Sequence, residues 1–133
     1  MYKRQAQIQA FAQITATVAA QGVTILASSG DAGSNPNNSI AAGNYLASAP
    51  LGVAYPASDP SVTAVGGSTV TFTGNWAYSG ETAWGQTTVV GPPGPSASGG
   101  GLSSVFAKPS WQTGGSLLAA QGMRCVPDVA GIA

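Results

Sequence analysis

The sequence predicts an α/β fold, with a mostly parallel sheet flanked by helices. Three observations predict it. The chain opens on a long stretch with helical spacing, passes directly into a short apolar and partly β-branched run, and closes that run with the small-residue loop Ser28-Ser29-Gly30-Asp31-Ala32-Gly33. A helix handing over to a short apolar strand buried on both faces is the building unit of a parallel sheet. The loop at such a strand's carboxyl end is where open α/β sheets gather ligands and catalytic groups. Asp31 is the ionisable side chain of that loop.

The helix is expected over residues 4–20, with Ile8, Phe11, Ile14, Thr15 and Val18 on one face and Gly22 at the left-handed C-terminal cap. Lys3 and Arg4 ahead of the small residues 10–20 imitate a signal peptide, but Gln5, Gln7, Gln9 and Gln13 interrupt the segment, and an amphipathic helix explains it better. Val23 to Ala27 is the buried strand. Residues 34–49, carrying Asn35, Pro36, Asn37 and Asn38, are expected as a surface loop with room for one helical turn.

Two short strands are expected next, Val53 to Pro56 and Val62 to Val65, with Gly66-Gly67 separating the second from Thr69 to Thr73. Thr69, Thr71 and Thr73 alternate with Val70 and Phe72, the period of a half-exposed strand. Gly74-Asn75 turns it into a β-hairpin whose return runs from Trp76 to Trp84. Residues 91–101 read as a loop, Pro109 to Trp111 as the opening of a short helix, Leu117 to Gln121 as ambiguous, and Val126 to Ala133 as a β-like end.

Composition excludes several function classes. Lys3, Arg4, Lys108 and Arg124 balance Asp31, Asp59, Glu81 and Asp128, so the net charge is zero and there is no basic patch for nucleic acid. No apolar run reaches the ~18 residues of a membrane span. With no histidine and the single Cys125, a nitrogen–sulfur metal site is not expected, and neither is an internal disulfide. Few groups change charge on acidification, which suits a protein working in acid.

Four ordered blocks resemble the sedolisin family of serine-carboxyl peptidases. They are Gly22-Val-Thr-Ile-Leu-Ala-Ser-Ser-Gly-Asp-Ala-Gly33; Tyr55-Pro-Ala-Ser-Asp-Pro-Ser-Val-Thr-Ala-Val-Gly-Gly67; Glu81-Thr-Ala-Trp84 leading to Ser98-Gly-Gly-Gly-Leu-Ser-Ser-Val-Phe106 and Pro109-Ser-Trp-Gln112; and Arg124-Cys-Val-Pro-Asp-Val-Ala130. The resemblance implies a subtilisin-like fold, incomplete in this chain, with 1–133 as the central part of one catalytic domain truncated at both ends. It implies an acid-acting endopeptidase with a Ser-Glu-Asp triad and an aspartate, here Asp31, in the oxyanion hole where subtilisins carry asparagine. It also implies secretion, a polypeptide substrate, a monomer when full length, and calcium held by ligands outside this chain. No metal is expected on these residues.

The chemistry fits the substitution. Asparagine donates at any pH, whereas aspartate donates only when protonated, so an oxyanion site built on a carboxyl works in acid. The triad serine, glutamate and aspartate match nothing in this chain, which is therefore expected to be inert alone. Ser29, Gly30, Gly99 and Gly100 are candidates for the substrate cleft. Glu81 and Asp128 are expected to be structural, Cys125 a small buried hydrophobe, and Trp76, Trp84 and Trp111 core or hairpin aromatics. Ala32 stands where some family members carry an acidic residue that shapes specificity, so no preference carries over. Two other readings stay open: a secreted binding module that keeps the scaffold without the catalytic groups, and a subtilisin-like serine peptidase, which would need a histidine-bearing segment upstream.

Overall fold

The computed structural model describes residues 2–35, 51–86, 96–113 and 122–133. The expectations for residues 36–49 and 91–95 and for Leu117 to Gln121 lie outside them. Helix α1 spans Tyr2–Ala20. Gly22 follows it at φ 82°, and its N–H donates to the Ala19 carbonyl at 2.9 Å, which closes the helix as a glycine cap does. The buried face differs from the predicted one. Ile8, Ala12, Thr15, Val18 and Ala19 are half-buried, whereas Phe11 and Ile14 are each 59% exposed. A polar contact helps fix the choice: Thr15 Oγ1 donates to Asp59 Oδ2 at 2.8 Å, turning the Thr15 face inward.

The main sheet is organised on one long strand. β1 is Leu26–Ser28, β2 Thr63–Phe72, β3 Tyr78–Ala83 and β8 Val129–Ile132; between them in sequence lie β4 Gly85–Gln86, β5 Ser96–Ala97, β6 Gly101–Ala107 and β7 Met123–Val126. β1 and β8 pair parallel with β2, and β3 pairs antiparallel. Val65 lies opposite both Ser28 and Val129, and Ser68 opposite both Ala83 and Ile132. β1 and β3 therefore occupy the same side of β2, one after the other, with β8 on the opposite side.

Three expectations are corrected. The strand predicted at 23–27 starts later and is not buried on both faces: Leu26 is 64% exposed, because β1 pairs only with β2 among the described strands. Val53 to Pro56 is not a strand; Tyr55 to Ser58 form a turn, closed by the Ser58 N–H on the Ala54 carbonyl. Gly66-Gly67 does not divide two strands but lies within β2. A Cβ on Gly66 would stand 2.8 Å from Pro127 Cγ and 2.9 Å from Ser98 Oγ, and one on Gly67 2.9 Å from Ala133 Cβ. These glycines are required by close approach across the strand, not by a turn.

The hairpin forms as predicted, with a longer loop than Gly74-Asn75 alone. Thr73 N–H donates to Ala77 O and Trp76 N–H to Thr73 O, leaving Trp76 at φ 62° in the left-handed position of a three-residue hairpin loop. The Trp76 ring is exposed and packs against Phe72, with centroids 6.3 Å apart.

β6 pairs antiparallel with β7, and the predicted β-like end resolves into β7, a Pro127-Asp128 corner and β8. The helix expected at Pro109 to Trp111 is a single turn, Gln112 N–H to Pro109 O at 3.1 Å. The Gln112 side chain instead bonds the Cys125 backbone in both directions, Nε2 to O at 2.7 Å and Oε1 from N–H at 2.9 Å.

Among the described residues the buried hydrophobic side chains are Ala57, Val62, Ala64, Cys125 and Val126. Polar groups hold much of the rest. Asp59 is wholly buried and accepts from Thr15, from Ser61 N–H at 2.8 Å and from Tyr55 OH at 3.4 Å. Burial, and then the Asp59 carboxylate beside it, holds the Tyr55 phenol above its usual pKa. A raised acid contributes its stability while protonated, so this contribution is complete at neutral pH and is lost only in alkali, beyond the ordinary tyrosine value of about 10.

Candidate active site

The end of β1 is where the fold opens. Thr63 N–H donates to Ile25 O, and Ser29 N–H donates to Val65 O at 2.8 Å, the last rung between β1 and β2. On the same side of β2 the next rung belongs to the other neighbour: Trp84 N–H donates to Gly67 O at 2.9 Å. Between the two rungs the sheet has no strand beside β2. A cleft of about 440 Å³ lies at this interruption, lined by Ala27, Ser29, Gly30, Asp31, Gly66, Trp84 and others.

The loop that carries Asp31 is fixed through its backbone. Gly30 and Gly33 take φ values of 92° and 59°, conformations glycine adopts without the steric cost other residues meet. Ala97 N–H donates to Asp31 O at 2.9 Å, Gly99 N–H to Gly30 O at 2.6 Å, Gly33 N–H to Ala97 O at 3.0 Å and Gly100 N–H to Gly33 O at 3.2 Å. The Asp31 carboxyl is exposed on the cleft and, among the described residues, hydrogen-bonds to no side chain. Backbone hydrogen bonds thus pin the loop while its carboxyl stands exposed at an open cleft.

The five residues singled out from the sequence come together, though they line two clefts rather than one. Ser29, Gly30 and Asp31 line the 440 Å³ cleft. Gly99 and Gly100 line a second cleft, about 560 Å³, together with Ser68, Glu81, Thr82 and Pro127. Gly99 is buried against the Asp31 loop, where a Cβ would overlap the Ser29 carbonyl oxygen. Residues 98–100 are the wall between the clefts rather than a loose surface loop, and Ser96 and Ala97, expected in a loop, form strand β5 paired with β4.

The Ser29 side chain is only 3% exposed, and its Oγ has no hydrogen-bond partner among the described residues. An unsatisfied buried hydroxyl costs roughly 1–3 kcal/mol. Ser29→Ala is therefore expected to raise the thermal midpoint of the full-length protein or leave it unchanged. A clear fall would mean that the hydroxyl has a partner after all.

Two groups carry roles that the sequence did not show. Ser98 Oγ accepts from Gly67 N–H at 2.9 Å while Ser98 N–H donates to Trp84 O at 2.9 Å, so Ser98 fills the place of the absent strand. Arg124, fully buried, forks onto both oxygens of Asp128 at 2.6 and 2.5 Å, reaches the Cys125 carbonyl, and lies 4.9 Å over the Trp111 ring. Asp128 Oδ2 also accepts from Ala64 N–H at 2.8 Å, the structural role expected of it. The Arg-x-x-x-Asp spacing was the available signal; it reads as a helical pair and is here a pair across a proline corner.

Parallel strands around a long central β2, with a carboxyl-bearing loop at the end of β1, define a subtilisin-like α/β scaffold. No family model matches the chain. Individual relatives do. It is 41% identical over 123 residues, 92% of its length, to sedolisin of Pseudomonas sp. (strain 101), and 37% identical over 131 residues, covering 95% of it, to kumamolisin of Bacillus sp. (strain MN-32). The solved structure of Pseudomonas sedolisin (serine-carboxyl proteinase) complexed with two molecules of pseudo-iodotyrostatin matches 98% of the chain with a TM-score of 0.80 and 40% identity. The chain belongs to the sedolisin family of serine-carboxyl peptidases. It spans about a fifth of the length of these curated relatives, 20% and 21%, and 34% of the solved chain.

Proposed function

We propose that this chain is the oxyanion-bearing part of an acid-acting, secreted serine endopeptidase that cleaves polypeptides. The observation that carries the reading is the free Asp31 carboxyl, exposed on the cleft at the end of β1 on a loop fixed by four backbone hydrogen bonds. Attack of the triad serine on a peptide carbonyl moves an electron pair onto the carbonyl oxygen. The serine's proton passes to the triad glutamate, and a protonated Asp31 donates its O–H to the carbonyl oxygen as the charge develops. The tetrahedral species then collapses to an acyl-enzyme, the glutamate returns the proton to the departing amine, and water hydrolyses the ester. Such a donor is worth about 10²–10³ in kcat.

This reading places the triad serine, glutamate and aspartate outside residues 1–133 and the activity with the full-length protein. In this reading any calcium is held by ligands outside residues 1–133. No described helix is long and apolar enough to cross a membrane.

The test is a pair of substitutions in the full-length protein, assayed on a denatured polypeptide. Asp31→Ala is expected to lower kcat by about 10²–10³. Asp31→Asn is expected to keep part of the activity and extend it from the acid range, around pH 3–5, toward neutrality, because an amide donates at every pH. An unchanged rate and pH profile in both variants overturns the reading.

A further inference from the structure

The Asp31 loop is anchored to β2 at two points. One is direct, Ser29 N–H on Val65 O. The other runs through Ser98, whose hydroxyl accepts from Gly67 N–H and whose own N–H holds Trp84 O. The neighbours of Ser98 on either side grip the loop, Ala97 at Asp31 O and Gly99 at Gly30 O. Val65 and Gly67 are two residues apart on one strand, so both anchors refer to the same rigid element. Mid-strand N–H groups normally find a partner strand's carbonyl; Gly67 finds a side chain, because β1 has ended and β3 has not begun.

We propose that Ser98 is a positioning residue for Asp31: by plugging the interruption in the sheet, it fixes the loop backbone and so the place from which the carboxyl donates. The inference rests on the oxyanion reading of Asp31. Without the hydroxyl, Gly67 N–H loses its partner and the 97–99 segment keeps one tie to the sheet instead of two. The loop then shifts relative to the cleft. Misplacement of a reacting group by ~1 Å costs on the order of 10²-fold in rate, whereas substrate binding elsewhere in the cleft is untouched.

The experiment is a double-mutant cycle in the full-length protein: Ser98→Ala, Asp31→Ala and the pair, with kcat and KM measured well below each variant's unfolding midpoint. Ser98→Ala is expected to lower kcat about 10- to 100-fold with KM nearly unchanged, and to cost almost nothing further once Asp31 is alanine. Should Ser98→Ala fail to fold, Ser98→Cys, whose sulfur is a weak acceptor, gives the same comparison in milder form. An equal loss of kcat in both backgrounds, or a lowered midpoint with kcat intact, makes Ser98 merely structural and overturns the inference while leaving Asp31 in place. Full activity in Asp31→Ala overturns the oxyanion reading and the Ser98 role with it.

Discussion

Asp128→Ala is expected to destabilise the protein by about 3–5 kcal/mol, the cost of leaving one partner of a buried ion pair uncompensated. The Arg124 guanidinium is 0% exposed, and both oxygens of Asp128 face it. Removing that carboxylate strands a full charge that already has one buried N–H, Nε, without a partner. It also frees Ala64 N–H in the middle of the core. Arg124→Leu is the companion: it leaves Asp128 with its backbone bond, and the remaining loss falls on the Cys125 and Val62 carbonyls. The effect should therefore be the smaller of the two. Both are read from the thermal or urea midpoint of the full-length protein. Since total stabilities run near 5–15 kcal/mol, Asp128→Ala should remove a large share of the folded population. A shift below about 1 kcal/mol would mean the pair is solvated in the intact protein, as exposed pairs are.

Gly99→Ala is expected to abolish activity and to lower stability as well. The added methyl would occupy the Ser29 carbonyl oxygen and stand 2.5 Å from its carbon, both rigid backbone atoms. Nothing flexible is available to move, so the wall must separate from the Asp31 loop, breaking the 2.6 Å bond from Gly99 N–H to Gly30 O. Overpacking of this kind costs typically 1–3 kcal/mol, and the displaced loop carries away the proposed oxyanion donor besides. Gly101→Ala, in the same glycine run, meets only ordinary contacts, the nearest at 3.5 Å, but sits at φ 141° and should strain the backbone without touching the site. Measured side by side, turnover separates them: Gly99→Ala inactive and Gly101→Ala active. Equal activity in both would mean the 98–100 wall does not set the Asp31 loop.

Much of this was legible in the residues. The helix followed by strand and small-residue loop specified a local order that the fold keeps, because helical spacing, a glycine cap and β-branched residues act within a few positions of each other. The hairpin was legible for the same reason: Thr69 to Thr73 alternate, and Gly74-Asn75 favours a turn. Asp31 stood out as a carboxyl in a loop of small residues at a strand's end. The comparisons confirm the family that those blocks resembled.

What the residues could not reveal was every relation between distant segments. Gly66-Gly67 reads locally as a break and is the middle of β2, since Pro127, Ser98 and Ala133 approach it from far along the chain. Val53 to Pro56 reads as a strand and is not one; among the described residues no strand pairs with it. Phe11 and Ile14 read as core and are exposed, while Ile8, Thr15 and Val18 of the same predicted face are half-buried, with Thr15 bonding Asp59. Sequence alone indicated helix α1, the strand and loop that follow it and the hairpin, and it singled out the carboxyl on which the proposed function rests. The tertiary structure alone decided that β1 ends where β3 has not yet begun. An interruption in a sheet exists only between strands, and its filling by Ser98 and Gly99 depends on hydrogen bonds that no local pattern encodes.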